Sequence, residues 1–375
     1  MKRISLAALA AACCAVLAAN PVNALVIQPY FDPSITNAQN AAQIMSAINA
    51  VTSQYSSLYT NPVTVNIYFQ QQSGNFLGSS QSTYYFDSYS GYTVAAIDNA
   101  ILNPNNAPLT QGLISTFSGP TNQQPVILTT GANFRANGYG SYAYPGAAND
   151  TPGAFNINGV AIDTIITLST DNPLDFNSLV PAYNGSNLAY NGRDVIEHEV
   201  DEALGIGGSG SALNFIGDGL TLPTPLQNVG YEGVLDRYRF SAPGVPGFST
   251  DPNANAYFSL DNGVTNLAAF NQDSNGDFGD LGPTNVSCGA AGGFGGPFSV
   301  VQDAFACYNL PTTSIERGSI EDTLLQSVGW DPTPEPATWA MMILGLAMIG
   351  FAVRRRPGND IINTLNSNAI QASGQ

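Results

Sequence analysis

One histidine occurs in the whole chain, and it sits in the run Val195-Ile196-Glu197-His198-Glu199-Val200-Asp201-Glu202-Ala203-Leu204-Gly205. Placed every 100° around a helix, His198 and Glu202 fall within about 40° of each other, flanked by Glu199 and Ile206. Ile196, Val200, Ala203 and Leu204 form a separate apolar wedge, and a helix with such a wedge must bury it against a second layer, here a sheet. Asp194, Glu197 and Asp201 fill the remaining arc and are expected in solvent. Gly205 stands where the helix must stop and turn, which glycine permits. The helix therefore demands a packing partner on one side and gathers an imidazole and two carboxylates on another. A histidine and a ligand one turn apart can share a metal ion, and a carboxylate beside them can take a proton from water. A histidine merely satisfied on a charged helix is the competing reading.

The rest of the chain offers the second layer. Over 37–55, Ala41, Ile44, Met45, Ile48 and Val51 recur at helical spacing. Residues 63–69 (VTVNIYF) alternate as a half-buried strand, 92–101 read as a second helix, and 126–130 as a short strand. A strand over 162–168 directly precedes the histidine helix. Beyond Gly205 the chain becomes glycine- and proline-rich with short strands, and 319–328 reads as a closing helix. No internal repeat is present, and the length suits one elaborated domain or one and a half. The expected class is α+β: a mixed sheet with helices on one side, then a loop- and strand-rich second half.

Both ends are apolar. Residues 1–24 carry Lys2 and Arg3, an apolar run, and Val22-Asn23-Ala24 at the cleavage positions, the layout of a signal peptide cut by signal peptidase. Pro334, Glu335 and Pro336 lead into an apolar run over 337–353, followed by Arg354, Arg355 and Arg356. Seventeen helical residues span about 25 Å, the short end of a single bilayer crossing. The stretch PEPATWAMMILGLAMIGFAVRRR resembles the PEP-CTERM sorting signal of Gram-negative bacteria along its whole length. That resemblance implies anchoring in the inner membrane, then processing by an exosortase that delivers the protein to the cell surface or beyond. The polar extension 357–375 departs from the usual ending just after the arginines. A plain single-pass anchor is the alternative. The segments are thus 1–24, 25–332, 334–356 and 357–375.

Between the ends the chain is strongly acidic. Leu25 to Pro336 holds five arginines, no lysine and 26 acids, a formal charge of −21. Binding to nucleic acid needs the opposite sign and is excluded. With Cys13 and Cys14 removed in the signal, Cys288 and Cys307 remain in an exported chain, where one disulfide is the natural reading and two free buried thiols the alternative.

The helix run is one substitution from the zinc-protease pattern H-E-x-x-H-x-x-G. YEGVLDRYRFSAPG at 231–244, AYFSLDNGVTNLAAFNQDSNGDFGD at 256–280 and SVGWDP at 327–332 also resemble segments of zincin-like metalloproteases that carry PEP-CTERM tails. The resemblance implies a zincin fold, His198 and Glu202 as metal ligands, and Glu199 as the catalytic general base. Two departures stand out. Glu202 replaces the second histidine, and Gly208 occupies the place of a third ligand, so that Asp218, Glu232 or Asp236 would have to supply one. A site of one imidazole and several carboxylates favours harder ions such as Mn²⁺, Ca²⁺ or Fe²⁺ over Zn²⁺.

Two lesser signals stay local. Asp273-Ser274-Asn275-Gly276-Asp277 spaces oxygens as calcium loops do, but Phe278 follows and no glutamate closes it, so an Asx-rich turn serves as well. Gly207-Gly208-Ser209-Gly210 follows a helix instead of opening one and reads as a loop. Two functions remain: a secreted or surface-sorted zincin-like metallopeptidase homologue acting on a protein substrate, with altered metal or lost activity, or a non-catalytic protein of the surface or exopolysaccharide matrix.

Overall fold

Alternation and helical spacing meet in the first half of the chain to give a parallel crossover. Strand β1 (Val26–Phe31) leads through one turn at Pro33–Thr36 into α1 (Ala41–Leu58), which returns to β2 (Thr64–Gln72). On β2, Val65, Ile67 and Phe69 point inward and are fully buried, as period two requires. On α1, Ile44, Ala47, Ile48, Val51, Thr52 and Tyr55 form the buried stripe that covers the sheet.

This computed structural model describes residues 25–116, 126–138, 155–177, 189–214, 231–282, 300–306, 308, 314–334 and 345–346. The chain divides into two units, 1–332 and 333–375. The predicted signal 1–24, Cys288, Cys307, Asp218, the tail 357–375 and all but two residues of 337–353 lie outside the described residues. Among the described residues no helix is long and apolar enough to cross a membrane.

Within the first unit the sheet is completed by β3 (Gly78–Ser82) and β4 (Thr164–Ser169), in the order β1-β2-β4-β3. β1 and β4 run parallel to β2, with Phe69 beside Ile166, while β3 runs antiparallel to β4, with Ser80 beside Ile166. Its sequence, GSSQS, has no apolar alternation because one edge pairs and one face meets polar groups instead of core. The helix α2 (Gly192–Leu204) packs on β3, β4 and α1. A second sheet joins Tyr84–Ser88, Val126–Thr130 and Tyr231–Gly233, and a small antiparallel sheet is built from 239–269. The class is α+β.

The closing helix α3 (Ile320–Ser327) feeds a buried C-terminal turn. Trp330 is fully buried, and its Nε1 donates to the carbonyl of Leu204, the last residue of α2, at 2.8 Å. Asparagine side chains hold the same turn: Asn133 and Asn137 donate to Val328 O at 2.8 and 2.9 Å, Asn99 and Asn61 to Gly329 O at 2.9 and 3.0 Å, and Asn106 to Trp330 O at 3.2 Å. These amides satisfy carbonyls that a buried non-helical turn would otherwise leave without partners.

Candidate metal centre

Helix α2 begins at Asn191, whose side chain accepts from Arg193 N at 3.1 Å, and ends at Gly205 with φ 100°, in the left-handed region. Ile196, Val200, Ala203 and Leu204 are fully buried in the main core. His198, Glu199 and Glu202 line one cleft of about 920 Å³, which β3 borders through Gly78, Ser79 and Ser80.

His198 Nδ1 lies 3.0 Å from the carbonyl oxygen of Val301. A carbonyl only accepts, so Nδ1 carries a proton and Nε2 is turned toward the carboxylates. Nε2 stands 3.7 Å from Asp280 Oδ2 and 4.0 Å from Glu202 Oε1. The Gln302 amide donates to Asp280 Oδ1 at 2.9 Å and lies 3.4 Å from His198 Nε2. Glu202 accepts from Ser80 Oγ at 2.5 Å and from Gly208 N at 3.0 Å. A Cβ at Gly208 would overlap Glu202 Oε1 and Asp277 Oδ2, so glycine lets the backbone close on both carboxylates.

The third group beside His198 and Glu202 is Asp280, and the three offer ligand atoms within 4.8 Å of one another. This corrects the sequence expectation for two of the candidate ligands. Asp236 is consumed by a loop staple, accepting from Ser211 Oγ at 2.6 Å, Ala212 N at 2.7 Å and Gly233 N at 2.8 Å. Glu232 lies on the strand Tyr231–Gly233 of the second sheet and does not line the cleft. The signal that leads to Asp280 is the acidic run 273–280. Its first part is an Asx turn, with Asn275 N donating to Asp273 Oδ1 at 3.0 Å, and the turn carries Asp277 and Asp280 to the cleft.

A second correction concerns the arc of α2 expected in solvent. Glu197 and Asp201 are fully buried, and only Asp194 stays half-buried at the cleft wall. Glu197 accepts from Arg193 Nε at 3.0 Å and Ile315 N at 3.1 Å, and Asp201 accepts from Tyr55 OH at 2.7 Å. The wheel showed the polar arc but not that α1 and the closing segment cover it with donors.

Burial dominates the electrostatics. It pushes the Glu199 carboxyl well up, with Glu202 next and His198 opposing. It raises Glu202 to about 7, Asp277 adding, and Asp280 well above the carboxylate range, with Asp277 and Glu202 adding. Burial alone would lower His198, but Glu199 and Glu202 outweigh it and the imidazole is raised. Glu199 Oε2 is buried without a hydrogen-bond partner. Clustered carboxylates that resist ionisation, one imidazole with its second nitrogen free of the backbone, and one orphaned carboxylate oxygen together fit a divalent cation.

The family model of the PEP-CTERM protein-sorting motif matches residues 332–356, a span that includes Pro334, Glu335, Pro336 and Arg354 to Arg356. The motif marks the chain as an exosortase substrate, exported and sorted to the surface. No curated protein and no solved structure matches the chain significantly.

Proposed function

We propose that this surface-sorted chain is a divalent-metal-dependent hydrolase of polypeptide, a zincin-type metallopeptidase with an altered ligand set. His198, Glu202 and Asp280 would hold the ion and Glu199 would serve as base. The observation that carries the proposal is the meeting of those three ligand atoms within 4.8 Å, beside the unpartnered oxygen of Glu199. The order of a helix, sheet strands, a histidine helix and a looser second half supports the zincin label. So do the segments at 231–244, 256–280 and 327–332. The signal at 1–24 and a Cys288–Cys307 bond belong to the same reading.

A divalent ion at this site would supply Lewis acidity, polarising a scissile carbonyl and activating a water. The chain's own groups do the rest. Val301 fixes the His198 ring and Gln302 orients Asp280. Glu199, made more basic by burial, is placed to take a proton from water and return it to the leaving amine. The single imidazole among carboxylates favours Mn²⁺ or Ca²⁺ over Zn²⁺.

A second reading has its own observation. Both oxygens of Glu202 already accept hydrogen bonds from the protein. The site then needs no ion, and the scaffold serves as a non-catalytic surface or matrix protein. The test is elemental analysis of protein purified without a chelating tag, with casein cleavage by wild type, Glu199→Gln and Glu202→His. The hydrolase reading expects bound metal in wild type and in Glu199→Gln, with cleavage in wild type alone. Absence of metal and of cleavage in all three proteins would overturn it.

A further inference from the structure

Six carboxylates line the cleft, Asp194, Glu199, Glu202, Asp277, Asp280 and Asp303, and among the described residues that line it there is no arginine or lysine. A divalent ion on His198, Glu202 and Asp280 would engage two of the six and leave Asp194, Glu199, Asp277 and Asp303 outside its ligand set. Asp303 is not among the proposed ligands; it lies on the segment 300–306, half-buried and with no arginine or lysine paired to it among the described residues. Burial pushes its carboxyl up to about 7, against a pull from His198 and with Glu321 adding. Glu199, 4% exposed, adds an oxygen with no partner. Beside these acids the walls are apolar, from Phe76, Leu77, Val300 and Phe305. An acidic concavity with low-dielectric walls concentrates cations and repels anions. A long cationic side chain meets both requirements, laying its methylenes on the apolar wall and its charge on the carboxylate.

We infer that the cleft selects polypeptide segments bearing arginine or lysine, with Asp303 receiving the cationic side chain. The inference deepens the hydrolase reading and uses the same site, but it is tested by binding, so the two can fail separately. Arginine suits Asp303 better than lysine, because its planar fork can bond both carboxylate oxygens.

The experiment uses the full chain in detergent carrying Glu199→Gln, so that bound peptide is not turned over. Labelled peptides on one glycine–serine scaffold, bearing arginine, glutamine or glutamate pairs, are followed by fluorescence anisotropy with and without added Mn²⁺. The arginine peptide should bind roughly tenfold tighter than the glutamine peptide and the glutamate peptide more weakly than both, with the spread shrinking as salt is added. Asp303→Asn should remove most of the arginine preference and leave the glutamine peptide unchanged, while Asp303→Glu should keep the preference. Equal binding of the three peptides, or the same preference in Asp303→Asn as in the parent, overturns the inference. A retained arginine preference without cleavage by the Glu199-containing chain supports it and overturns the hydrolase reading alone.

Discussion

Replacing Glu202 with glutamine separates two roles of that carboxylate. Burial, with Asp277 adding, raises its carboxyl from 4.5 to about 7 in the folded chain. The folded state therefore holds the proton more tightly than the unfolded chain, and stability falls as pH rises from the lower value through the upper one. Above about pH 7 the full penalty is in place, and a rise of that size corresponds to ~3 kcal/mol. Glutamine carries no charge and keeps both contacts: its oxygen accepts from Gly208 N and its amide donates to Ser80 Oγ. Without divalent ions at about pH 8, Glu202→Gln is expected to exceed wild type by roughly 2–3 kcal/mol, a midpoint gain of about 3–5 °C for a domain of this length. At about pH 5 the gain should fall to about 1 kcal/mol or less. Excess divalent ion should erase that advantage. Ligand at a hundredfold over Kd adds ~2.7 kcal/mol to wild type, whereas the variant lacks one of three ligands. Differential scanning fluorimetry at both pH values, with EDTA and with Mn²⁺ or Zn²⁺, reads every arm. A variant less stable than wild type at the higher pH in EDTA, or one showing an equal metal-induced shift, would refute the reasoning.

Trp330→Ala should cost ~3–5 kcal/mol in urea unfolding, since it empties a fully buried site and frees the Leu204 carbonyl; Trp330→Phe should recover only the packing part of that loss, because it brings no donor for the carbonyl. Arg239 is 1% exposed and donates to Phe278 O at 2.6 Å, Gly247 O at 3.2 Å and Asn271 O at 3.3 Å, pinning the turn that carries Asp277 and Asp280. Arg239→Met should therefore weaken metal binding roughly tenfold in isothermal titration, and unchanged affinity would mean that the turn holds itself. Removing residues 332–356 should release the chain without exosortase, whereas the intact chain needs the enzyme; fractionation of strains with and without exosortase decides, and equal retention of the intact chain in both would favour a permanent anchor.

Where periodicity was strong, the sequence reading came close. The stripe Ile44, Ile48 and Val51 anticipates α1, and the predicted strand 126–130 coincides with Val126–Thr130. The strand 162–168 is found as Thr164–Ser169, and the closing helix as Ile320–Ser327. β3 was illegible because Gly78–Ser82 (GSSQS) holds no apolar side chain to alternate, and only its pairing with β4 makes it a strand. On α2 the shared face of His198, Glu199 and Glu202 followed from angle alone. The burial of Glu197 and Asp201 did not, because their donors, Tyr55 and Ile315 N, are supplied by chain far away in sequence. Asp280 escaped for the same reason: it lies 78 residues beyond Glu202, and no local spacing rule reaches that far.

The asparagine clasp on the C-terminal turn also sets an order in time. Its partners lie far apart along the chain, with 191 residues separating Asn137 from Val328 and 268 separating Asn61 from Gly329. A polypeptide that leaves the cell N-terminus first exposes these amides long before their carbonyls emerge, and it cannot bury them alone without cost. The end of α2 likewise waits for Trp330. The cleft built on that helix is thus finished only when almost everything ahead of the sorting motif has been translocated. Topology acts here as a delay: the cleft takes its final shape only after the chain has passed the proteins that exported it.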